Sequence, residues 1–434
     1  MRVNHTDRRT FLAGSTFAAS LAVWPQSALA ACATDPLSGE ALYRDVETYC
    51  ALGDHRTASI GDNATTNWLK WKFENLGYNV ETPQVPLALF QPTDCRVICG
   101  GSEFEAFPAW PVITTSKEGI RAPLALAGSS DLQGKIVVMS PTYRYGSSLT
   151  IRGFGDQAMQ LASRGAVGVI IVTEGPTGEI IGLNAYPGKF HWDIPVVLVA
   201  GRNGDAVRAL AKRGEPANFI LTADVDPDAT AGNVVARRRG RGKTVVVSTP
   251  KSGWFTCAGE RGSGMAIFLA LAQTLAKNSK IDLMFVATTG HEIEGAGGEH
   301  FLEDHAPKPK DVRLWLHIGA NIASNTIRMD GEKVIREDTI HAQRGVLASQ
   351  QLLSAARKAF AGQPGYSEPI DSNSDRAVGE VLIYRREGYS PLIGIVGGHP
   401  LHHTRLDTPQ NATSPEALEA VARGMNTLVL IALD

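Results

Sequence analysis

The 434-residue sequence has almost no net charge, few cysteines, no internal repeat and no long low-complexity tract. Each shortage removes a class of protein. With 42 Lys and Arg against 44 Asp and Glu, the formal charge of −2 gives no electrostatic footprint for nucleic acid. The one basic run, Arg237-Arg238-Arg239-Gly240-Arg241-Gly242-Lys243, lies between Val234-Val235 and Val245-Val246-Val247 and reads as a charged turn between strands. Of the five cysteines, Cys95 and Cys99 match no zinc motif without a second pair. They can pair with each other only where the chain turns between them, because an extended strand holds them too far apart.

What is present is globular: 43% hydrophobic and 20% charged, at a length that suggests two domains. Residues 1–30 read as a twin-arginine export signal, with Arg8-Arg9 before Thr10-Phe11-Leu12, an apolar stretch too short to span a bilayer, and Ala28-Leu29-Ala30 as a cleavage site. The expected location is the periplasm or beyond. Leu29-Ala30-Ala31-Cys32 also matches a lipoprotein processing box. Lipidation of Cys32 would hold the mature protein on a membrane surface, whereas cleavage after Ala30 leaves it soluble.

The pattern predicts a helix over Asp62–Leu76, capped by Asp62, with Trp68, Leu69, Phe73 and Leu76 on one face and Gly77 ending it. From about Asp94 to Ala223 the texture changes to short buried strands such as Val169–Val172 and Ile194–Val199, with helices at Gln157–Ser163 and Asn203–Arg213. Strands then alternate with helices: Thr244–Ser248, the apolar helix Ser263–Lys277, Ile281–Thr288, Arg313–Ile318 and Leu392–Val396. Ser414-Pro415-Glu416 opens a closing helix. Such alternation implies a three-layer α/β/α domain on a mostly parallel sheet, formed by 36–93 and 224–434 and interrupted by an α+β insert at 94–223.

Four segments carry the candidate chemistry. They are Gly259-Glu260-Arg261-Gly262-Ser263-Gly264, Gly290-His291-Glu292-Ile293-Glu294-Gly295, Leu316-His317-Ile318-Gly319 and His402-His403-Thr404-Arg405-Leu406-Asp407. Each places a potential metal ligand near the end of an apolar run, where an open parallel sheet gathers its functional groups. With Gly53-Asp54-His55-Arg56-Thr57-Ala58-Ser59, these segments resemble the zinc aminopeptidases and glutaminyl cyclases of metallopeptidase clan MH, family 28, from Asp54 to the C-terminus. The insert resembles the protease-associated (PA) domain through its Ala-rich helix, Gly-Ala turn and Ile-Pro-Val-Val strand. Such inserts carry no catalytic groups in that family and tend to cover the cleft.

Carried over position by position, the resemblance makes Glu260, Glu292 and His403 ligands of one zinc, with His291 as general base and His317 assisting. The site is altered. The family's first His-x-Asp is missing after Val247-Ser248-Thr249-Pro250-Lys251, the bridging Asp is Glu260, the Glu that serves as base is His291, and an Asp ligand is His317. One metal or none is expected, since two ions would bring four charges against two evident carboxylates. The function implied is an exported metallohydrolase cutting an amide bond of a peptide or aminoacyl compound, or an acyl-transfer or cyclase variant on the same site. Other readings stay open. One is a peptide-binding protein that kept the cleft and lost the metal. A weaker one is a hydrolase using the Cys257 thiol with His291. The glycines at 259–264 open a helix that could bind an anion, and Trp254 and Phe255 could wall a substrate pocket or be buried.

Overall fold

The computed structural model describes residues 35–141, 153–185, 192–278 and 280–434. Arg8, Arg9, the cleavage motif and Cys32 lie outside them. Among the described residues no helix is long and apolar enough to cross a membrane.

An eight-stranded sheet runs in the order Asn79–Glu81, Val234–Arg238, Asp282–Thr288, Thr244–Pro250, Val312–Ile318, Leu392–Gly397, Arg344–Ala348, Ile370–Asp371. Its centre is parallel, from Asp282–Thr288 through Leu392–Gly397. Antiparallel pairs flank it, formed by Val234–Arg238 on one side and Arg344–Ala348 on the other. The basic run links two strands that lie on either side of a third, Asp282–Thr288.

Both faces are covered, as the apolar content of the strands requires. Period-two alternation sends Val245, Val247, Leu314, Leu316, Phe285 and Ala287 into one core and Val246, Trp315, Met284 and Val286 into the other. The first core packs against helices Gly39–Ala51, Ile60–Asn75, Ser263–Leu275 and Pro415–Leu433. The second packs against Ala296–Asp304 and Val381–Arg386. Ser414 caps the last helix, accepting the Ala417 N–H at 3.3 Å, with Pro415 at its first position.

The insert is a closed barrel of seven strands, ordered Leu89–Cys99, Ser102–Pro108, Val196–Ala200, Gly168–Thr173, Ile136–Met139, Ile120–Leu126, Pro216–Asp226. Cys95 and Cys99 sit on one extended strand, and Cys50, Cys95, Cys99 and Cys257 are all free. The barrel core extends onto Trp254 and Phe255 of the sheet domain, where the Phe107 ring lies 5.6 and 5.3 Å from theirs. The two indicated roles for Trp254 and Phe255 resolve in favour of burial: both pack into the barrel core from the sheet domain.

The helix expected from Asp62 begins two residues earlier. Ser59 is its cap, accepting the Asp62 N–H at 3.2 Å. Asp62 is instead fully buried, and its carboxylate takes the Ala58 N–H at 3.0 Å, the Thr289 hydroxyl at 2.7 Å and the Lys251 ammonium.

Candidate metal and proton-transfer site

The candidate residues gather at the carboxyl ends of the central strands, as the open-sheet rule requires. Glu260 sits in the turn before helix Ser263–Leu275, His291 in the turn after Asp282–Thr288, His317 near the end of its strand, and His402 and His403 in the loop after Leu392–Gly397. All of them but Glu260, which lies fully buried against Arg261 and His403, line a cavity of about 240 Å³ together with Asn184, Arg261 and Glu380, among others. An apolar wall of Leu347, Val378, Val381, Ile395 and Val396 completes it.

Glu260, His402 and His403 have ligand atoms within 4.8 Å of one another. Glu260 Oε1 lies 3.1 Å from His403 Nε2, 3.0 Å from Arg261 Nη2 and 3.6 Å from His291 Nε2. Glu260 Oε2 is buried with no hydrogen-bond partner. Burial alone would raise the Glu260 pKa, but the charges of His403 and Arg261 hold it well below the usual carboxylate range. An ionised carboxylate with one orphan oxygen, beside two imidazoles, forms a donor set that suits one divalent ion.

The outer contacts agree. His403 Nδ1 faces the Gly182 carbonyl at 2.9 Å and so carries a proton, while Nε2 faces Glu260 Oε1 at 3.1 Å, where a bound ion would take the place of the Nε2 proton. The His403 backbone has φ +62°, a left-handed value that a non-glycine residue adopts only where its surroundings impose it. His402 stacks on His403, and burial together with the His403 charge holds its pKa well below normal. Its Nδ1 is 2.9 Å from Asn321 Nδ2, while Asn321 Oδ1 is buried without a partner. Asn321 Nδ2 also donates to the Gly397 carbonyl at 3.4 Å, which holds the amide as it stands and makes His402 Nδ1 an acceptor in the neutral ring.

Across the cavity Glu380 joins the two remaining histidines. Its Oε1 is 2.6 Å from His291 Nδ1 and its Oε2 is 3.2 Å from His317 Nε2. Burial would raise its pKa, but the charge and hydrogen bond of His291, with the hydrogen bond of His317, hold it well below the carboxylate range. An ionised carboxylate only accepts, so both facing nitrogens carry protons. When the His291 ring gives up one of its two protons, the lone pair is therefore left on Nε2, and His291 lines the cavity. His317 is held from behind by Ser248 Oγ, 3.0 Å from Nδ1, and Ser248 also accepts the Trp315 indole N–H at 2.9 Å.

Of the three expected ligands, Glu260 and His403 come together and Glu292 does not join them. The Glu292 carboxylate accepts the Thr57 N–H at 2.9 Å, the Thr57 hydroxyl at 2.7 Å and the Ser252 hydroxyl at 2.8 Å. Those donors use its oxygens to tie the 55–59 loop to the sheet domain. His402 stands in the cluster instead, and Glu380 enters the site without any motif to announce it. His402 had a signal, adjacency to His403; Glu380 had none.

The remaining expectations also resolve. Cys257 is fully buried and donates its S–H to the Trp254 carbonyl; burial and the neighbouring Glu260 charge push its pKa well above normal. That is the opposite of an activated nucleophile. The helix start at Gly259 has its N–H groups occupied, because Asp407 accepts from Gly259 at 2.7 Å and Glu260 at 3.0 Å. Asp407, pushed up by burial to about 7 despite those bonds, fills the place an external anion would take.

Residues 233–429 match the model of peptidase family M28, and residues 92–207 match the PA domain. Aminopeptidases of two Pseudomonas aeruginosa strains are 27% identical over 359 residues, covering 75% of this chain. The chain spans 64% of those relatives' length. The fold is similar to that of a zinc aminopeptidase from Bacillus subtilis, with a TM-score of 0.72 at 16% identity over 92% of this chain and 95% of that one. A peptidase M28 precursor from Shewanella amazonensis gives a TM-score of 0.72 at 17% identity, covering 91% and 93% of the two chains.

Proposed function

We propose, from the match of residues 233–429 to peptidase family M28 and of residues 92–207 to the PA domain, that this chain is an exported metallohydrolase that cuts an amide bond in a peptide or aminoacyl compound with a single zinc ion. The observation that carries the proposal is the meeting, at one cavity, of a metal-suited cluster (Glu260, His402, His403) with a carboxylate-backed imidazole (Glu380 and His291). The aminopeptidase relatives support the substrate class. Arg8-Arg9 and the apolar stretch after them, outside the described residues, support export.

A bound ion would polarise the scissile carbonyl and lower the pKa of a bound water to roughly 7. His291 Nε2 takes the proton of the attacking water and returns it to the nitrogen of the leaving amine. Glu380 accepts the Nδ1–H throughout, which fixes the ring and stabilises the imidazolium. His317 keeps Glu380 turned toward His291, and Arg261 keeps Glu260 ionised. Arg261 also bears on the number of ions. With a guanidinium already 3.0 Å from Glu260 Oε1, a second divalent ion would add charge that no further carboxylate of the cluster meets.

The same guanidinium favours a second reading, a metal-free cleft that binds peptides, since Arg261 already neutralises Glu260. Zinc per chain, measured by elemental analysis on the full-length protein, separates the two. One ion is expected in the wild type and in Glu292→Gln, and none in His403→Ala or Glu260→Gln. Hydrolysis of aminoacyl p-nitroanilides should follow the zinc. A reconstituted wild type without zinc would sink the enzyme reading.

A further inference from the structure

The barrel insert reaches into the cavity. Residues 180–185 are buried or nearly so and hydrogen-bond the sheet domain at several points. The Gly182 N–H donates to the His403 carbonyl at 2.9 Å, the Gly182 carbonyl receives the His403 ring, and the Ala185 N–H donates to the Glu292 carbonyl at 3.0 Å. Asn184 lines the cavity itself.

The orientation of the Asn184 amide is fixed by a donor-only group. The Trp254 indole N–H gives a hydrogen bond to Asn184 Oδ1 at 2.7 Å. Nδ2 must then point the other way, and it lies 3.3 Å from His291 Nε2 and 3.4 Å from the His291 carbonyl. An amide N–H facing Nε2 is satisfied only by a lone pair there. Glu380 imposes the same choice from the opposite side of the ring, because it accepts from Nδ1 at 2.6 Å. Glu260 Oε1 faces Nε2 as well, but at 3.6 Å it lies beyond hydrogen-bond reach, so the two groups that do bond the ring, one on each domain, favour one tautomer.

We propose that Asn184, supplied by the inserted barrel, is a positioning residue for His291: its amide holds the ring with the Nε2 lone pair toward the cavity, ready to take a proton. The inference rests on the role given to His291 above. It assigns the barrel a part in the chemistry beyond covering a cleft. The length of the Asn184–His291 bond suits this role, since a contact of 3.3 Å yields readily to a water that enters to donate its proton.

The test uses the full chain with an aminoacyl p-nitroanilide as probe. Asn184→Asp keeps the acceptor that Trp254 needs and places a carboxylate oxygen against Nε2, which demands a proton there. The expected result is a fall in kcat of about 10²-fold, the lower end of what a positioned acid–base group contributes, with KM within about twofold. Asn184→Ala removes the donor without adding an acceptor, so a smaller loss of kcat is expected. Independently of activity, ¹⁵N NMR of histidine-labelled protein should show His291 unprotonated at Nε2 in the wild type and protonated there in Asn184→Asp. Unchanged kcat and unchanged ¹⁵N signals in that variant overturn the proposal. So does a lowered Tm in both variants with the His291 signals unmoved, which would make Asn184 a structural residue only. A wild type that cuts no amide refutes the hydrolase reading, and the NMR comparison still decides the role of Asn184.

Discussion

Lys251 and Asp62 are both without exposed surface, and each is tolerable there only because of the other. Asp62 is further held by the Ala58 N–H and the Thr289 hydroxyl, so it cannot turn away to follow water if the ammonium is removed. Lys251→Met should therefore lower the unfolding free energy by about 3–5 kcal/mol in urea titrations. The double replacement Lys251→Met with Asp62→Leu should recover part of that loss. Equal stability of Lys251→Met and wild type would show the pair to be idle. The sequence revealed Lys251 only as a positive charge near the missing His-x-Asp. It gave no view of Asp62, which reads as an ordinary helix cap. The same limit applies to Glu292 and Glu380. Motif spacing places Glu292 in the right turn, but which way its carboxylate faces is decided by Thr57 and Ser252, 235 residues away in one case and 40 in the other. Glu380 precedes a short helix with no pattern around it, and only the closing of the sheet brings it to His291.

Gly182 shows how closely two elements can approach. A Cβ there would stand 2.5 Å from the Trp254 ring, and that ring is wedged among the barrel aromatics. Gly182→Ala should lower stability by about 1–3 kcal/mol, as overpacking does, and should reduce zinc content because the His403 ring hangs from the Gly182 carbonyl. Calorimetry with elemental analysis checks both; normal zinc in a destabilised variant would separate packing from ligand positioning. Elements of this kind were well legible in the sequence. The strands of the central sheet are largely apolar because both of their faces are buried, and their ends fall within one or two residues of expectation. The closing helix announced itself through Ser414 and Pro415. What local pattern could not give was pairing. The strands Val234–Arg238 and Thr244–Pro250, adjacent in sequence, are separated in the sheet by a later one.

The whole molecule should be weakened by mild acid, through histidines far from the cavity as well as near it. Burial first, then the Lys251 charge, lowers His55 to about 3, where it stacks on Tyr49 at 3.7 Å. Burial lowers His399 to about 4. Both are neutral in the fold and take up a proton on unfolding below their ordinary pKa near ~6.5, so the stability they contribute is present above about 6.5 and is lost as pH falls toward 3 to 4. Each should add about 1.4 kcal/mol per pH unit to the slope of unfolding free energy in that range. Asp407 works in the opposite direction. Raised to about 7, it favours the fold at low pH and loses that contribution as pH rises from about 4 through 7. Unfolding titrations of the wild type and His55→Gln between pH 4 and 7 should differ in slope by about one proton. Identical slopes would place the acid sensitivity elsewhere. The seam between barrel and sheet also limits how the two can be exchanged. Gly182 and His403 trade a backbone and a ring hydrogen bond across 221 positions of sequence. A barrel transplanted from another protein of the same shape would arrive without its half of that handshake, so the insert is not a cassette: residues 180–185 and the loop that carries His403 have to be exchanged together.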